Sequence, residues 1–334
     1  LEGRKVAVKI GIMSFAHMHA CSYASAAVRN PNIILAGVAD DDKERGQKMA
    51  DMFETTYYPS YEALLAGDIE AVVVTPENAK HKELTLMAAE AGKHVMCEKP
   101  LAPNLADGRE MIEVCRAKGV KLMTAFPCRF SPAMRRVKEA VDGGAIGEIL
   151  AIKGTNQGKM PGGWFIELEK SGGGAVIDHT VHVVDLMRWL MKSEPKEVYA
   201  EISNLMHHQD YDDVGVLTIT FDNGVFTTLD SSWSRPKSFP FWGNVTMEIT
   251  GTEGVILMDM FAQTFTVYSD KNMQTTWNFW GSDIDYLLVN DFAMAVANNL
   301  PVSITGEDGL KAVEVALGAY ESARSGVPIK LPLE

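Results

Sequence analysis

Lys99, Asp178 and His182 are the side chains whose types and surroundings best suit proton transfer in this sequence. Lys99 stands in A-G-K-H-V-M-C-E-K-P, and Pro100 restricts the lysine backbone to extended conformations, which fixes its direction. At the carboxyl edge of a parallel sheet, partly desolvated, such an amine has its pKa drawn toward the range useful for proton transfer. An isolated lysine there would read as a surface turn residue, so partners decide the matter. The second half supplies them in S-G-G-G-A-V-I-D-H-T-V-H-V-V-D-L-M-R-W-L-M, where Asp178, His182 and Asp185 fall at i, i+4 and i+7 of a helix with almost no other polar residue. Buried polar groups need partners, so this stripe is either a closed hydrogen-bond network or a working site. The glycines 172–174 just before it let something approach closely, which favours a site. A metal cluster using Asp178, His182 and either His179 or Asp185 is a third reading.

These side chains need elements to hold them. Residues 1–126 alternate short Val- and Ile-rich runs with helix-period segments, the pattern of a doubly wound parallel sheet covered by helices. Strands are expected at Val6 to Met13, Ile33 to Ala39, Glu70 to Thr75, Lys93 to Cys97 and Lys121 to Phe126, with helices at Lys82 to Ala91 and Leu105 to Ala117 closed by Gly92 and Gly119. From 127 to 334 the texture changes to hairpin-linked strands, as in V-L-T-I-T-F-D-N-G-V-F-T-T-L-D. Strand runs lie near Glu148 to Gln157, Glu197 to Asn204, Val245 to Thr250 and Val255 to Asp259. Helices are expected at Pro132 to Val141, Ala175 to Met191, Ile284 to Asn298 and Glu307 to Ser325, so the second half is α+β with an open, mostly antiparallel sheet. A ligand cleft between two such domains is the default expectation.

K-I-G-I-M-S-F-A-H-M-H-A lies where a dinucleotide-binding fold places its glycine-rich turn. Its glycine positions read Ser14, Ala16 and His19; Ser and Ala still let a pyrophosphate approach backbone N–H groups, and Phe15 lies between them. Taken alone the turn is also compatible with an ordinary strand-to-helix connection. Asp40, ending the second strand, can accept hydrogen bonds from the adenosine ribose of NAD and repels the extra phosphate of NADP. Asp41 and Asp42 reinforce that field or simply cap a helix, whereas Lys43 and Arg45 weaken it. NAD is therefore expected, with NADP possible.

The chain has 334 residues, enough for two domains, with 44 acidic against 31 Lys and Arg residues and a formal net charge of −13. That balance works against nucleic acid or an anionic membrane as the main partner, although helix N-termini can still hold an anionic cofactor. The 4 cysteines show no C-x-x-C pair, which fits a reducing compartment, and no long apolar run or leader is evident, so a cytoplasmic location is expected. No metal site is expected; His17 and His19 read as helix-start residues and His207 and His208 as loop residues.

T-P-E-N-A-K-H, A-G-K-H-V-M-C-E-K-P, R-F-S-P, G-A-I-G-E-I, S-G-G-G-A-V-I-D-H-T-V-H-V-V-D and G-E-D-G-L-K-A-V-E-V-A-L-G-A-Y-E-S-A run in order along nearly the whole chain. On these motifs it resembles the family of glucose-fructose oxidoreductase, inositol dehydrogenase and rhizopine-catabolism oxidoreductases (Gfo/Idh/MocA). The resemblance implies a Rossmann domain, a substrate and oligomerisation domain, and homodimers or homotetramers. It also implies NAD- or NADP-dependent oxidation of a secondary alcohol on a sugar, inositol or polyol, or the reverse. It assigns Lys99 to substrate and nicotinamide, Asp178 and His182 to substrate binding and proton transfer, and Thr75, Pro76, His81 and Glu98 to the cofactor lining. The departures are the missing fingerprint glycines, a T-P to His81 loop one residue longer than common, Pro127 where Asn is frequent, and His179-Thr180 where a small apolar-Gly pair is usual. His179 and Trp164 are expected near substrate, Trp164 as a wall for a sugar ring or as a core residue. The rival functions are a sugar lyase or glycosidase that regenerates NAD, a non-catalytic nucleotide- and sugar-binding regulator, and a metal-dependent hydrolase.

Overall fold

The computed structural model describes residues 7–279, 281 and 283–333. Two compact units share the chain: the first is Leu1–Pro127, Glu169–Ser171 and Asp283–Leu310, the second Cys128–Leu168, Gly172–Ser282 and Lys311–Glu334. A single cut after residue 126 does not anticipate the two returns to the first unit. The helix Ile284–Ala297, expected with the second half, packs beside the helix His19–Arg29 through Arg29 to Asp283 at 2.5 Å and Asn30 to Asn290 at 2.9 Å. The first Val of the expected strand from Val6 lies outside the described residues.

In the first unit, β1 (Val8–Met13), β2 (Ile33–Ala39), β3 (Tyr57–Tyr58), β4 (Ala71–Val74), β5 (His94–Cys97) and β6 (Leu122–Thr124) form one parallel sheet in the order β3-β2-β1-β4-β5-β6. The A-V-V-V run of β4 is buried at every residue, as expected of a strand covered on both faces. Helix ends follow local chemistry: the Asn104 side chain accepts the Asp107 N–H at the start of Leu105–Lys118, and Gly119, at φ +68°, closes it in the left-handed region. Such an N-cap is worth about 1 kcal/mol. The core is aliphatic, with Leu64, Val72, Val74, Leu84, Val95, Leu101 and Met111 among its buried members.

In the second unit, β7 (Ile149–Gly158), β8 (Pro195–Ser203), β9 (Val214–Phe221), β10 (Phe226–Ser232), β11 (Gly243–Gly251), β12 (Val255–Asp259) and β15 (Ile329–Lys330) form a sheet in the order β12-β11-β7-β10-β9-β8-β15, while β13 (Thr264–Ser269) and β14 (Gln274–Phe279) pair apart from it. Every ladder of this sheet is antiparallel except β7 with β10. Alternation along β9 turns Leu217, Ile219 and Phe221 inward, and the helix Ala175–Met191 lies against β7, β9 and β10. The other face shows Val216, Phe226, Val255 and Leu257 to solvent. Among the described residues, no helix is long and apolar enough to cross a membrane.

Candidate active site

The turn after β1 is tied to the ends of β2 and β4. Ser14 takes φ +77°, a conformation that normally favours glycine, and its N–H donates to Ala39 O at 2.8 Å. Its hydroxyl accepts the Ala16 N–H at 3.2 Å, and Thr75 Oγ1 donates to its carbonyl at 2.8 Å. The Phe15 N–H donates to Asp40 Oδ2 at 2.7 Å. Ser14, Phe15, Ala16, Asp40 and Thr75 are thus one knot of strand ends, although they lie as far apart as 61 positions in sequence.

Asp40 is also gripped from the side. Arg45 Nε donates to its Oδ2 at 2.9 Å and Arg45 Nη2 to its Oδ1 at 2.6 Å, while the Asp42 N–H donates to Oδ1 at 2.9 Å. Burial pushes the Asp40 carboxyl up, against the pull of Arg45 and the amide donors. Asp42 is the N-cap of Lys43–Met52, accepting the Arg45 N–H. Asp41, on the surface, pairs with Lys80 and, at 3.2 Å, with Arg45; against partial desolvation these cations hold its carboxyl down. The acidic run is therefore largely paired with cations, which the sequence reading did not foresee for Lys80.

Glu98 and Lys99 follow β5 and both are buried. Glu98 Oε2 accepts the Lys99 N–H at 2.6 Å; its Oε1 meets His19 Nδ1, lies 3.3 Å from His17 Nδ1 and accepts the Tyr23 hydroxyl at 3.2 Å. Burial would raise the Glu98 carboxyl, but the two histidines overcome it and hold it well below the carboxylate range. Burial acts downward on His19 and Glu98 upward, with a net rise. His17, His19 and Glu98 offer metal-type donor atoms within 4.8 Å of one another, a grouping missed in sequence because His17 and His19 read as helix-start residues. Their Nδ1 atoms both face Glu98 Oε1 inside the protein. Pro76 is buried after β4, and His81 Nδ1 donates to Pro100 O at 2.9 Å, its burial favouring the neutral ring.

In the second unit the polar stripe is fully inside: Asp178, His182 and Asp185 are all buried. Asp178 Oδ2 accepts the Trp233 indole N–H at 3.1 Å and lies 3.3 Å from His179 Nε2. His179 Nδ1 donates to Asn156 O at 2.9 Å, and Asn156 Nδ2 returns a bond to His179 O at 3.1 Å. At Gly158 an added Cβ would sit 2.7 Å from the His179 ring, so the strand needs glycine there. His182 Nδ1 is 3.9 Å from Cys128 Sγ. Asp185 is taken by Arg129 through both oxygens, at 2.7 and 2.5 Å. Trp164 is half-buried, stacked on Phe165 with centroids 4.0 Å apart. A cavity of about 580 Å³ in this unit is lined instead by Lys159, Lys237 and the β13–β14 hairpin.

The glycines before the stripe accommodate the protein's own groups. A Cβ on Gly174 would lie 2.0 Å from Asp212 O and one on Gly173 2.4 Å from the Tyr320 hydroxyl. Asp212 accepts the N–H groups of Gly174, Val176 and, through its carbonyl, Ala175, at 2.8, 2.7 and 2.9 Å. The Tyr320 hydroxyl accepts from Ile177 at 3.3 Å and donates to Asp212 at 2.8 Å. This cap joins residues 36 to 146 positions apart. Nothing in local sequence signals it.

A parallel sheet in this strand order, with a small-residue turn after its first strand and a carboxylate ending its second, defines a dinucleotide-binding fold. The profile of an oxidoreductase family with an NAD-binding Rossmann fold matches residues 5–126, and that of the GFO/IDH/MocA C-terminal domain matches residues 134–257. The chain belongs to the Gfo/Idh/MocA family and is an NAD(P)-dependent oxidoreductase. It is 30% identical to the uncharacterized oxidoreductase YrbE of Bacillus subtilis strain 168, over 91% of each chain. Against myo-inositol 2-dehydrogenase of Thermotoga maritima the identity is 29%, over 89% of this chain and 91% of the other. The solved structure of GenD2 from gentamicin A biosynthesis in complex with NAD is similar along 100% of both chains, with TM-score 0.89 and 25% identity.

Proposed function

We propose that this protein oxidises a secondary alcohol of a sugar, inositol or related polyol, or reduces the corresponding ketone, with Lys99, Asp178 and His182 as its catalytic residues. The observation that carries the reading is the pair Asp178 and His182 on one stripe of a buried helix, with Trp233 and His179 steering Asp178. Similarity to a myo-inositol 2-dehydrogenase supports the substrate class.

The residues of the first unit fit a dinucleotide. Ser14 and Ala16 keep the turn after β1 small, Ser14 in a glycine-like conformation, and Asp40 ends β2 with a carboxylate for ribose hydroxyls. Phe15, Thr75, Pro76, His81 and Glu98 complete this lining in the proposal, and Lys99 serves both cofactor and substrate. When bound, the nicotinamide supplies a hydride acceptor. Oxidation removes a hydride and a proton from one carbinol; His182, assisted by Lys99, takes the hydroxyl proton while Asp178 orients His182 or a substrate hydroxyl. Glu98 accepts the Lys99 backbone N–H and so fixes where the lysine leaves β5. Trp164 and His179 contact the substrate in this reading.

The test is an absorbance screen for NADH or NADPH formation against sugars, inositols and polyols. Lys99→Ala should lose nearly all turnover yet keep NADH binding; an active variant refutes the assignment. A product formed without net NADH would point instead to transient redox within a lyase or glycosidase. We also propose that the apolar outer face of the second sheet, with Val216, Phe226, Val255 and Leu257, pairs two copies. Light scattering should give a dimer or tetramer, and a monomer at micromolar concentration would refute it.

A further inference from the structure

We propose that Cys128 is a positioning residue for His182: the ring's Nδ1–H donates to its sulfur, so that Nε2 is the nitrogen that exchanges a proton with the substrate. The proposal rests on the reading of His182 as the base and goes beyond it by naming the group that orients the ring and the nitrogen that works.

The turn carrying Cys128 is fixed against the stripe helix by its own neighbours. Pro127–Phe130 is a single 3-10 turn, and within it Arg129 holds Asp185 through both carboxylate oxygens at 2.7 and 2.5 Å. Asp185 lies three positions after His182, on the same face of Ala175–Met191. The guanidinium also lies over the Trp189 ring, 5.8 Å from its centroid, and the Ser131 N–H donates to the Cys128 carbonyl at 3.2 Å. With the turn stapled there, Cys128 Sγ stands 3.9 Å from His182 Nδ1, and both residues are buried.

Sulfur is a weak acceptor and the contact is long, yet little energy is needed to select a tautomer. A neutral imidazole carries one proton, and only the nitrogen without it can act as a base. A proton kept on Nδ1 leaves the lone pair on Nε2. The thiol, which ordinarily titrates near 8.5, also adds no charge at neutral pH. A carboxylate in its place would favour the imidazolium, and a ring already protonated cannot take a hydroxyl proton. The charged groups of the stripe leave this task to Cys128. Asp185 is neutralised by Arg129, and Asp178 is engaged by Trp233 at 3.1 Å and lies 3.3 Å from His179. In the proposed site Lys99 is a cation and opposes an imidazolium. Asp178 is then the group that meets a substrate hydroxyl, and Cys128 the one that orients His182.

The experiment uses the full chain labelled with 15N-histidine, first without substrate or cofactor. Long-range 1H–15N spectra report which ring nitrogen carries the proton, and the His182 signals are those missing from His182→Gln. At about pH 8, above the ordinary histidine range, wild-type His182 should hold its proton chiefly on Nδ1. Cys128→Ala should lose that preference, and Cys128→Ser, whose hydroxyl also accepts, should keep it. Cys128→Asp should raise the pKa of this ring by roughly one to three. With a sugar or polyol that the wild type oxidises, Cys128→Ala should lose roughly tenfold in kcat at little change in KM, part of the roughly 100-fold or more that a general base contributes. Serine should restore most of it. A wild-type proton on Nε2, or the same tautomer in Cys128→Ala, would overturn the role of Cys128. Should the aspartate variant fail to fold, alanine and serine decide by the tautomer alone. Full turnover in His182→Gln would overturn His182 as the base and this proposal with it, whereas lost turnover there with an unchanged tautomer in Cys128→Ala overturns Cys128 alone.

Discussion

Two aspartates, one in each unit, are gripped by an arginine through both carboxylate oxygens, and they differ in one physical respect. Asp185 and Arg129 are sealed, with side chains 0% and 10% exposed; Asp40 is as deeply buried, but Arg45 is 31% exposed. The partners of the first pair lie 56 residues apart, and those of the second 5 apart at the start of one helix. A sealed pair joins distant segments and cannot open without exposing a buried charge to apolar surroundings. A pair with one foot in water can exchange partners cheaply, because solvent takes over the released guanidinium. The same fork is thus a fixture in one place and a cover in the other.

Removing each arginine should separate the two. Arg129→Met is expected to lower unfolding stability by about 3–5 kcal/mol, the usual cost of stranding a buried charge, read from the urea midpoint. Arg45→Gln should cost less by the same measurement, because Asp40 keeps the Phe15 and Asp42 amide donors and the shorter side chain lets water reach it. Similar losses at the two sites would break the distinction. A third pair sharpens it without mutating the acid: Glu98 is 0% exposed and His19 30%, and this cation can be switched off by pH. Glu98 raises the folded-state pKa of His19, so the pair's stabilisation is fully present below the unfolded value of about 6.5 and is lost as pH rises through the higher folded value. The melting-temperature gap between wild type and His19→Gln should therefore shrink from about pH 6 to about pH 9. A gap that widens would contradict the pairing.

How much of this was legible follows from what local sequence encodes. The A-V-V-V of β4, the alternation along β9, and the Gly119 closure of Leu105–Lys118 are set by burial periodicity and backbone chemistry within a few residues, so these elements were read nearly to their ends. The stripe Asp178, His182 and Asp185 was legible for the same reason. What polar groups meet was not. Asp178 finds Trp233 55 positions away, and Asp212 and Tyr320 reach the helix start from separate segments. Even Arg45, only 5 positions from Asp40, registered as a nearby charge and not as a fork, because side-chain direction depends on where the helix begins. The return of 283–310 to the first unit escaped for a related reason: an apolar helix face does not say which sheet or helix will cover it.

The closure of the Ala175–Met191 helix by Asp212 and Tyr320 has a bearing on substrate charge. The first free amides of a helix ordinarily draw anions, yet here Gly174, Ala175, Val176 and Ile177 already donate to an aspartate and a phenol. The triple glycine resembles a phosphate cradle in composition and works as the opposite, a terminus whose attraction is spent inside the protein. A phosphorylated sugar gains nothing at that end of the helix. Under the proposed function, neutral hydroxyls are the ligands left for Asp178 and His182 further along the helix.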